Sequence, residues 1–168
     1  MTDEAETGAG TEPAADPRDP ADPPRAAALL GYAGVIPFVT TAVIVFFLYP
    51  RPEAQTVLTY QIAYGAVILS FLGGIRWSLA MLFPEDEQLL KRLTFSVMPS
   101  LLAWVALFVP PAWGLALLIV SFWGQAASDA QASRLREAPM WYGGYRVRLS
   151  ILVIGALGLT VVGIVLRS

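Results

Sequence analysis

The chain has 168 residues, of which 56% are hydrophobic and 14% are charged, and its formal net charge is −2. An ordinary soluble domain carries about 25% charged residues, so this composition favours an integral membrane protein. The sequence contains neither cysteine nor histidine. Disulfides, thiol nucleophiles, Cys/His zinc sites, iron–sulfur clusters and imidazole acid–base catalysis are therefore excluded.

Residues 1–27 differ from the rest of the chain, because seven acidic residues and five prolines fall among them with two arginines. Such a segment buries too little apolar surface to offset its chain entropy, and it is predicted to be a disordered cytoplasmic tail. It has neither the early apolar run of a secretory signal nor the Arg-rich character of a mitochondrial transit peptide. We therefore expect a bacterial inner membrane rather than an organelle.

Apolar runs that are long enough to cross a bilayer as helices follow the tail. The predicted spans are residues 28–49, 60–83, 93–109, 112–128 and 149–166. Helices satisfy the backbone hydrogen bonds of such runs in lipid, so residues 28–168 are predicted to form an all-α bundle of five transmembrane helices. Pro37 is expected to kink or break the first helix. A local break is expected near Pro99, and a tight turn at Pro110 and Pro111.

The positions of the basic residues predict the orientation of this bundle. With five spans, the N-terminus and the loops at residues 84–92 and 129–148 share one side of the membrane. That side holds Arg18, Arg25, Lys91, Arg92, Arg134, Arg136, Arg146 and Arg148, whereas the other holds Arg51 and Arg167. Because Lys and Arg concentrate in cytoplasmic loops, the N-terminus is predicted to be cytoplasmic and the C-terminus to be outside.

Arg76 is the one formal charge within a predicted span, where a charge is costly. We expect its guanidinium either to extend toward the cytoplasmic headgroups or to form an ion pair with Asp129. Ser121, Gln125, Ser128 and Asp129 fall on one face of the fourth helix. With Arg76, these residues are a candidate intramembrane ion pair or ligand site, although hydrogen bonding between neighbouring helices is the simpler interpretation.

Small residues recur every four positions along the second span, at Ala66, Ser70, Gly74 and Ser78. Such a ridge lets another helix approach closely. It predicts tight packing within the bundle, which we favour over homodimerisation.

The loop before the fifth span is both basic and aromatic. Its candidate headgroup-binding residues are Arg134, Arg136, Trp141, Tyr142, Arg146 and Arg148. Basic residues at a cytoplasmic face attract anionic lipid, and Trp and Tyr favour the headgroup layer. We expect contact with anionic headgroups, and ordinary anchoring is favoured over specific recognition of a lipid or a partner.

Several stretches resemble the transmembrane protein 69-like family, which is defined by domain of unknown function 3429. They are LLGYAGVIPF (29–38), YGAVILSFLGGIRW (64–77), SVMPSLLAW (96–104) and WYGGYRVRL (141–149), together with Asp129. The resemblance covers about residues 28–166. It implies a small multi-pass membrane protein and supplies no activity and no site residue.

Three functions fit these patterns. The favoured one is a non-enzymatic bundle that binds lipid or a membrane-protein partner in an accessory or assembly role. The alternative is a small oligomeric transporter or channel with a polar path between the second and fourth spans. An intramembrane enzyme that acts on lipid headgroups is the least favoured, because histidine, cysteine and a paired carboxylate set are absent. No cofactor, metal or nucleic-acid partner is expected.

Overall fold

The computed structural model describes residues 22–85 and 87–167, and over these residues the chain is all-α. Its helices are α1 (Arg25–Ala33), α2 (Ile36–Leu48), α3 (Pro52–Met81), α4 (Leu89–Ala106), α5 (Pro111–Arg134) and α6 (Met140–Val165). The rod α1–α2 and helices α3, α4 and α6 are long and apolar enough to cross a membrane. Helix α5 has 24 residues but is not among these four candidate spans, since its C-terminal half is polar. Residues 1–21 of the predicted tail lie outside the described residues, and residues 25–27, which were predicted to be disordered, form the start of α1.

The helices extend beyond the predicted spans. Helix α3 begins at Pro52 rather than near residue 60, and α5 and α6 are separated by residues 135–139 rather than by the expected loop at 129–148. Apolar runs mark the part of a helix that lies in lipid, whereas its polar ends continue into the interface. Prolines set the starts: Pro52 and Pro111 occupy first-turn positions, where their fixed φ suits a helix and no N–H is needed.

The break between α1 and α2 follows from Pro37, which occupies the first turn of α2. A proline has no N–H to donate to a carbonyl of the preceding turn, and its ring clashes with that turn. The chain therefore bends at Gly34 and Val35. The Tyr64 hydroxyl of α3 donates a hydrogen bond of 3.0 Å to the Gly34 carbonyl at this bend. Helix α4, in contrast, continues through Pro99 without interruption.

We count α1–α2 as one rod and each of α3, α4, α5 and α6 as another. These five rods form a closed ring in chain order. Helix α2 packs on α3, α3 on α4, α4 on α5, α5 on α6 and α6 on α2. Helices α3 and α5 also contact each other across this ring. Helix α4 is thereby excluded from the centre, and it is the least buried of the four candidate spans.

The centre of the bundle is apolar and aromatic. Phe38 of α2 and Phe122 of α5 are fully buried and meet edge to face, with their ring centroids 5.7 Å apart. Leu69, Leu118 and Leu157 fill the space between α3, α5 and α6 and are not exposed at all. These contacts hold the helices whose polar ends form the site described below.

A buried polar cluster joins α2, α3 and α6. The Gln61 amide donates to the Phe38 carbonyl at 3.2 Å, and its oxygen accepts a hydrogen bond of 3.0 Å from the Thr160 hydroxyl. Gln61 is 1% exposed and Thr160 is fully buried. Since both hydrogen-bonding ends of the Gln61 amide are used, the cluster fixes the register of three helices.

Close approach of helices occurs at Gly65 and Gly73 rather than along the predicted small-residue ridge. A methyl group at Gly73 would lie 2.5 Å from the Ser96 carbonyl oxygen of α4, and one at Gly65 would lie 2.8 Å from Leu118. Of the ridge, Ala66 is buried, whereas Ser70, Gly74 and Ser78 are exposed. The buried stripe of α3 follows its large apolar side chains, which place the packing surface one residue away from the ridge.

Candidate functional site

A buried carboxylate lies at the contact between α5 and α6. Asp129 has no exposed surface, and its Oδ2 forms an ion pair of 3.0 Å with Nε of Arg146. The Gln125 amide, one helical turn earlier, donates a hydrogen bond of 3.1 Å to Oδ1. A buried charge is tolerated when it is paired and hydrogen-bonded in this way. The Asp129 charge is therefore satisfied by α5 and α6.

Arg146 lies within α6 and pairs with Asp129, whereas its sequence context predicted a headgroup-binding loop. Helix α6 begins at Met140, directly after Pro139. That start places Arg146 in the second turn, and the buried residues Ser150 and Val153 follow at four and seven positions on the same face. Pro139, followed by buried positions at this helical spacing, was the sequence signal that α6 begins before Arg146.

Arg76 does not form the expected ion pair with Asp129. It lies on α3 within electrostatic range of the carboxylate, but no ion pair joins it to any residue that the structure describes. Its Nη1 is buried and has no hydrogen-bond partner among the described residues. The Ser121 Oγ shares this condition. Unpartnered buried polar atoms are uncommon, and each requires an explanation.

A groove with a volume of about 660 Å³ runs between α4 and α5, with α3 at its base. We call it the α4–α5 groove. Its loop end is polar and cationic, and its deeper end is apolar. The polar part is lined by Arg76, Lys91, Arg92, Gln125, Ser128 and Gln131, and the apolar part by Phe95, Met98, Leu102 and Val120. Several apolar lining side chains are exposed, so the groove opens on the outer surface of the bundle.

The loop end of the groove carries an ion pair between Arg92 and Glu137, at 2.6 Å. The turn after α5 positions the glutamate, because Arg136 has a φ of 57° and the Glu137 N–H donates to the Ala132 carbonyl at 2.9 Å. This is the hydrogen bond of a helix C-cap with a left-handed residue. Glu137 offsets the charge of Arg92, so Arg76 and Lys91 remain as the excess positive charge among the described lining residues.

The structure therefore brings the predicted site residues together around one feature. Arg76, Ser121 and Gln125 line the groove, and Asp129 lies behind Gln125. The predicted headgroup-binding residues separate: Arg134, Arg136 and Arg148 are exposed, whereas Trp141, Tyr142 and Arg146 are partly buried.

The start of α6 also holds α1 in place. The Tyr145 hydroxyl donates to the Ala27 carbonyl at 2.8 Å, and its ring meets Tyr32 edge to face at 5.9 Å. A smaller cavity of about 120 Å³ lies beside this contact and is lined by Gly31, Arg146 and other residues of α1, α2, α3, α5 and α6. Arg146 therefore lines this cavity, whereas Gln125, the other partner of Asp129, lines the groove.

Comparison with known proteins gives the following matches. The model of the family described as "Protein of unknown function (DUF3429)" matches residues 23–162. Transmembrane protein 69 of Xenopus tropicalis is 35% identical over 142 residues, which cover 81% of this chain and 53% of the relative. Transmembrane protein 69 of Mus musculus is 29% identical over 129 residues, or 75% of this chain and 51% of the relative. The chain spans about half the length of these curated relatives. No solved structure matches the chain.

Proposed function

The chain belongs to the DUF3429 family of multi-pass membrane proteins, and we propose that it is a non-enzymatic helical bundle that binds a membrane lipid in the α4–α5 groove. The observation that carries this proposal is the order of side chains along the groove. From Lys91 to Leu102, the lining of α4 changes from charged to apolar, and the lining of α5 changes in parallel from Gln131 to Val120. A lipid has the same order of groups, from headgroup to acyl chain.

We further propose that all five rods cross a bacterial inner membrane, with the N-terminus in the cytoplasm. Helix α5 has 24 residues, about 36 Å at 1.5 Å per residue, which exceeds the hydrocarbon thickness of about 30 Å. The Arg92–Glu137 ion pair joins the start of α4 to the turn after α5, which supports an α5 that returns through the full membrane. The excess of basic residues at this end supports a cytoplasmic location for it.

Lipid retention tests the proposed function. The purified protein, transferred to mild detergent, is expected to keep a lipid at about one copy per chain in native mass spectrometry. Gly124 lines the groove, and nothing lies within 4 Å of a methyl group placed on it. Gly124→Phe should therefore fill the groove and lower the retained lipid several-fold without disturbing the fold.

The matched control is Gly155→Phe. Gly155 is also exposed, and nothing lies within 4 Å of a methyl group placed on it, but it lies on α6 away from the groove. This variant should retain lipid as the unmodified protein does. A protein that carries no more lipid than an unrelated membrane protein in the same detergent would refute the function, as would equal losses in the two variants.

An accessory role toward a membrane-protein partner is part of the same proposal, with lipid binding as its molecular basis. Exposed aromatic side chains on α4 and just after it, such as Phe95, Trp104 and Phe108, offer an outer face for lipid or protein. Cross-linking in the native membrane, followed by identification of stoichiometric partners, tests this role. Recovery of the chain without a partner would refute the accessory role and leave the proposed lipid binding intact.

Transport is a second candidate, because the two side chains that bind Asp129 line two different cavities. Gln125 lines the α4–α5 groove and Arg146 lines the smaller cavity, and both contact the Asp129 carboxylate. A transporter of small anions would carry its substrate past the Asp129–Arg146 pair. Anion flux in proteoliposomes that Arg76→Ala and Asp129→Ala together do not change would exclude that path.

A further inference from the structure

We infer that the lipid held in the α4–α5 groove is an anionic phospholipid, with its phosphate bound by Arg76. This inference rests on the proposed function and names the ligand class of the same groove. Its basis is a local excess of positive charge: Asp129 is already neutralised by Arg146 at 3.0 Å. Arg76, beside it, keeps a buried Nη1 with no hydrogen-bond partner in the part of the chain that the structure describes.

The chemistry of Arg76 suits a phosphate. A guanidinium stays charged under all physiological conditions and offers several N–H donors in one plane, which match phosphate oxygens. Hydrogen bonds between such charged partners are stronger than neutral ones. Basic pockets between transmembrane helices at the cytoplasmic side are a recognised way to bind anionic headgroups. A phosphate oxygen in the groove would provide the partner that Nη1 lacks.

The surroundings of Arg76 extend this preference to lipids with a net negative headgroup. Lys91 lines the same end of the groove, and neither it nor Arg76 forms an ion pair within residues 22–85 and 87–167. Glu137 is occupied by Arg92 at 2.6 Å. A choline headgroup would bring a cation next to the unpaired charges of Arg76 and Lys91, and this repulsion would disfavour it.

Ser121 supplies a second contact farther from the headgroup. It is 4% exposed, and its Oγ lines the groove without a hydrogen-bond partner among the described residues. Ser121 precedes Asp129 by eight positions on α5, or about 12 Å at 1.5 Å per residue. Its hydroxyl therefore lies deeper in the groove than the headgroup end, where a bound lipid has its glycerol esters and acyl chains. Beyond it, Met98, Leu102 and Val120 provide an apolar surface for the chains.

The experiment measures the binding of three lipids with identical acyl chains to the full-length delipidated protein by native mass spectrometry. The lipids are dioleoylphosphatidylglycerol, dioleoylphosphatidylcholine and dioleoylglycerol. We expect the affinity for phosphatidylglycerol to exceed that for dioleoylglycerol about tenfold, with phosphatidylcholine between them. The Arg76→Gln variant should lose most of this preference, and Ser121→Ala should weaken the binding of all three lipids by the same factor.

Two further variants keep the test decisive. Arg25→Gln removes an exposed arginine at the start of α1, on the same predicted side of the membrane, without touching the groove, and it should bind phosphatidylglycerol as the unmodified protein does. Lys91→Gln changes an exposed residue, so it should fold normally and weaken phosphatidylglycerol binding about threefold. If Arg76→Gln does not fold, Lys91→Gln and Ser121→Ala still test the site.

The outcomes separate the inference from the proposed function. Equal binding of phosphatidylglycerol and either other lipid would overturn the inference while leaving lipid binding in place. Failure of all three lipids to bind would overturn both. Binding of sn-glycerol 3-phosphate as tight as that of phosphatidylglycerol would show a site for soluble phosphates and overturn the lipid assignment. An equal loss of phosphatidylglycerol binding in Arg25→Gln would show that basic residues at the surface attract the lipid without a specific site, and it would overturn the inference.

Discussion

The Asp129 carboxylate and the Arg146 guanidinium form a 3.0 Å ion pair at the contact between α5 and α6, with the Asp129 side chain fully buried and that of Arg146 11% exposed. This ion pair determines how much net positive charge the α4–α5 groove carries. Because Arg146 occupies one carboxylate oxygen and Gln125 the other, Arg76 is left with a buried donor that nothing in the described chain satisfies. The groove is therefore cationic although an acidic residue lies directly behind it.

Removal of Asp129 should destabilise the fold strongly. Asp129→Ala leaves the Arg146 charge largely buried without its partner, and breaking a buried pair in this way costs about 3–5 kcal/mol. The unfolding free energy, measured by denaturant titration in mixed micelles, checks this expectation.

The double variant Asp129→Leu with Arg146→Met is the matched control for this prediction. Replacing a buried ion pair by apolar side chains of similar volume is often nearly neutral. The double variant should therefore be more stable than Asp129→Ala. If Asp129→Ala unfolds at the same denaturant concentration as the unmodified protein, the pair does not support the α5–α6 contact.

The sequence was sufficient to predict the membrane bundle but not the partner of Asp129. Apolar runs report where helices lie in lipid, so all five rods were expected, together with the break near Pro37. Pairing depends on how the helices rotate against each other and where they end. Arg146 was placed in a loop because charged and aromatic residues surround it, yet α6 already begins at Met140. The groove likewise depends on the peripheral position of α4, which no local pattern encodes.

Adjacent glycines of α3 should respond in opposite ways to the same substitution. A methyl group at Gly73 would lie 2.5 Å from the Ser96 carbonyl of α4, whereas nothing lies within 4 Å of one at Gly74. Gly73→Ala should separate α3 from α4 and cost about 1–3 kcal/mol, as overpacking does. Gly74→Ala should be neutral or slightly stabilising, because alanine favours a helix more than glycine does.

The same denaturant titration compares these two variants. Their reversed order, with Gly74→Ala the more damaging, would mean that the predicted ridge of small residues is a packing surface after all, for a second copy or another protein. Similar stabilities would mean that α4 adjusts its position at little cost.

Gln61 should be important for stability despite its distance from the groove. Gln61→Leu removes hydrogen bonds to Thr160 and to the Phe38 carbonyl, and interhelical hydrogen bonds in membranes contribute about 0.6–2 kcal/mol. We expect a lower midpoint of thermal unfolding, followed by circular dichroism in detergent. Gln55→Leu, less than two turns earlier on α3, removes only an exposed hydrogen bond of 3.0 Å to the Pro50 carbonyl; it is the matched control and should change the midpoint much less.

The turn after α5 should tolerate glycine better than its native arginine. Arg136 adopts a φ of 57°, a left-handed conformation that costs a non-glycine residue about 1–2 kcal/mol. Arg136→Gly should raise the midpoint of thermal unfolding, although the flexibility of glycine in the unfolded chain reduces the gain. Arg134→Gly, within α5, should lower the midpoint. A decrease in both variants would indicate that the Arg136 side chain makes a stabilising contact of its own.

The orientation of the bundle in the membrane can be tested by labelling single introduced cysteines, because the chain contains no cysteine of its own. Glu53 and Glu85 are both exposed and lie near opposite ends of α3. With a cytoplasmic N-terminus, Glu53→Cys should react with a membrane-impermeant maleimide in intact cells, and Glu85→Cys should react after permeabilisation. Arg134→Cys tests whether α5 crosses, since it should follow the behaviour of Glu85→Cys. If Arg134→Cys reacts in intact cells together with Glu53→Cys, α5 does not cross, and the groove cannot hold a lipid along the membrane normal.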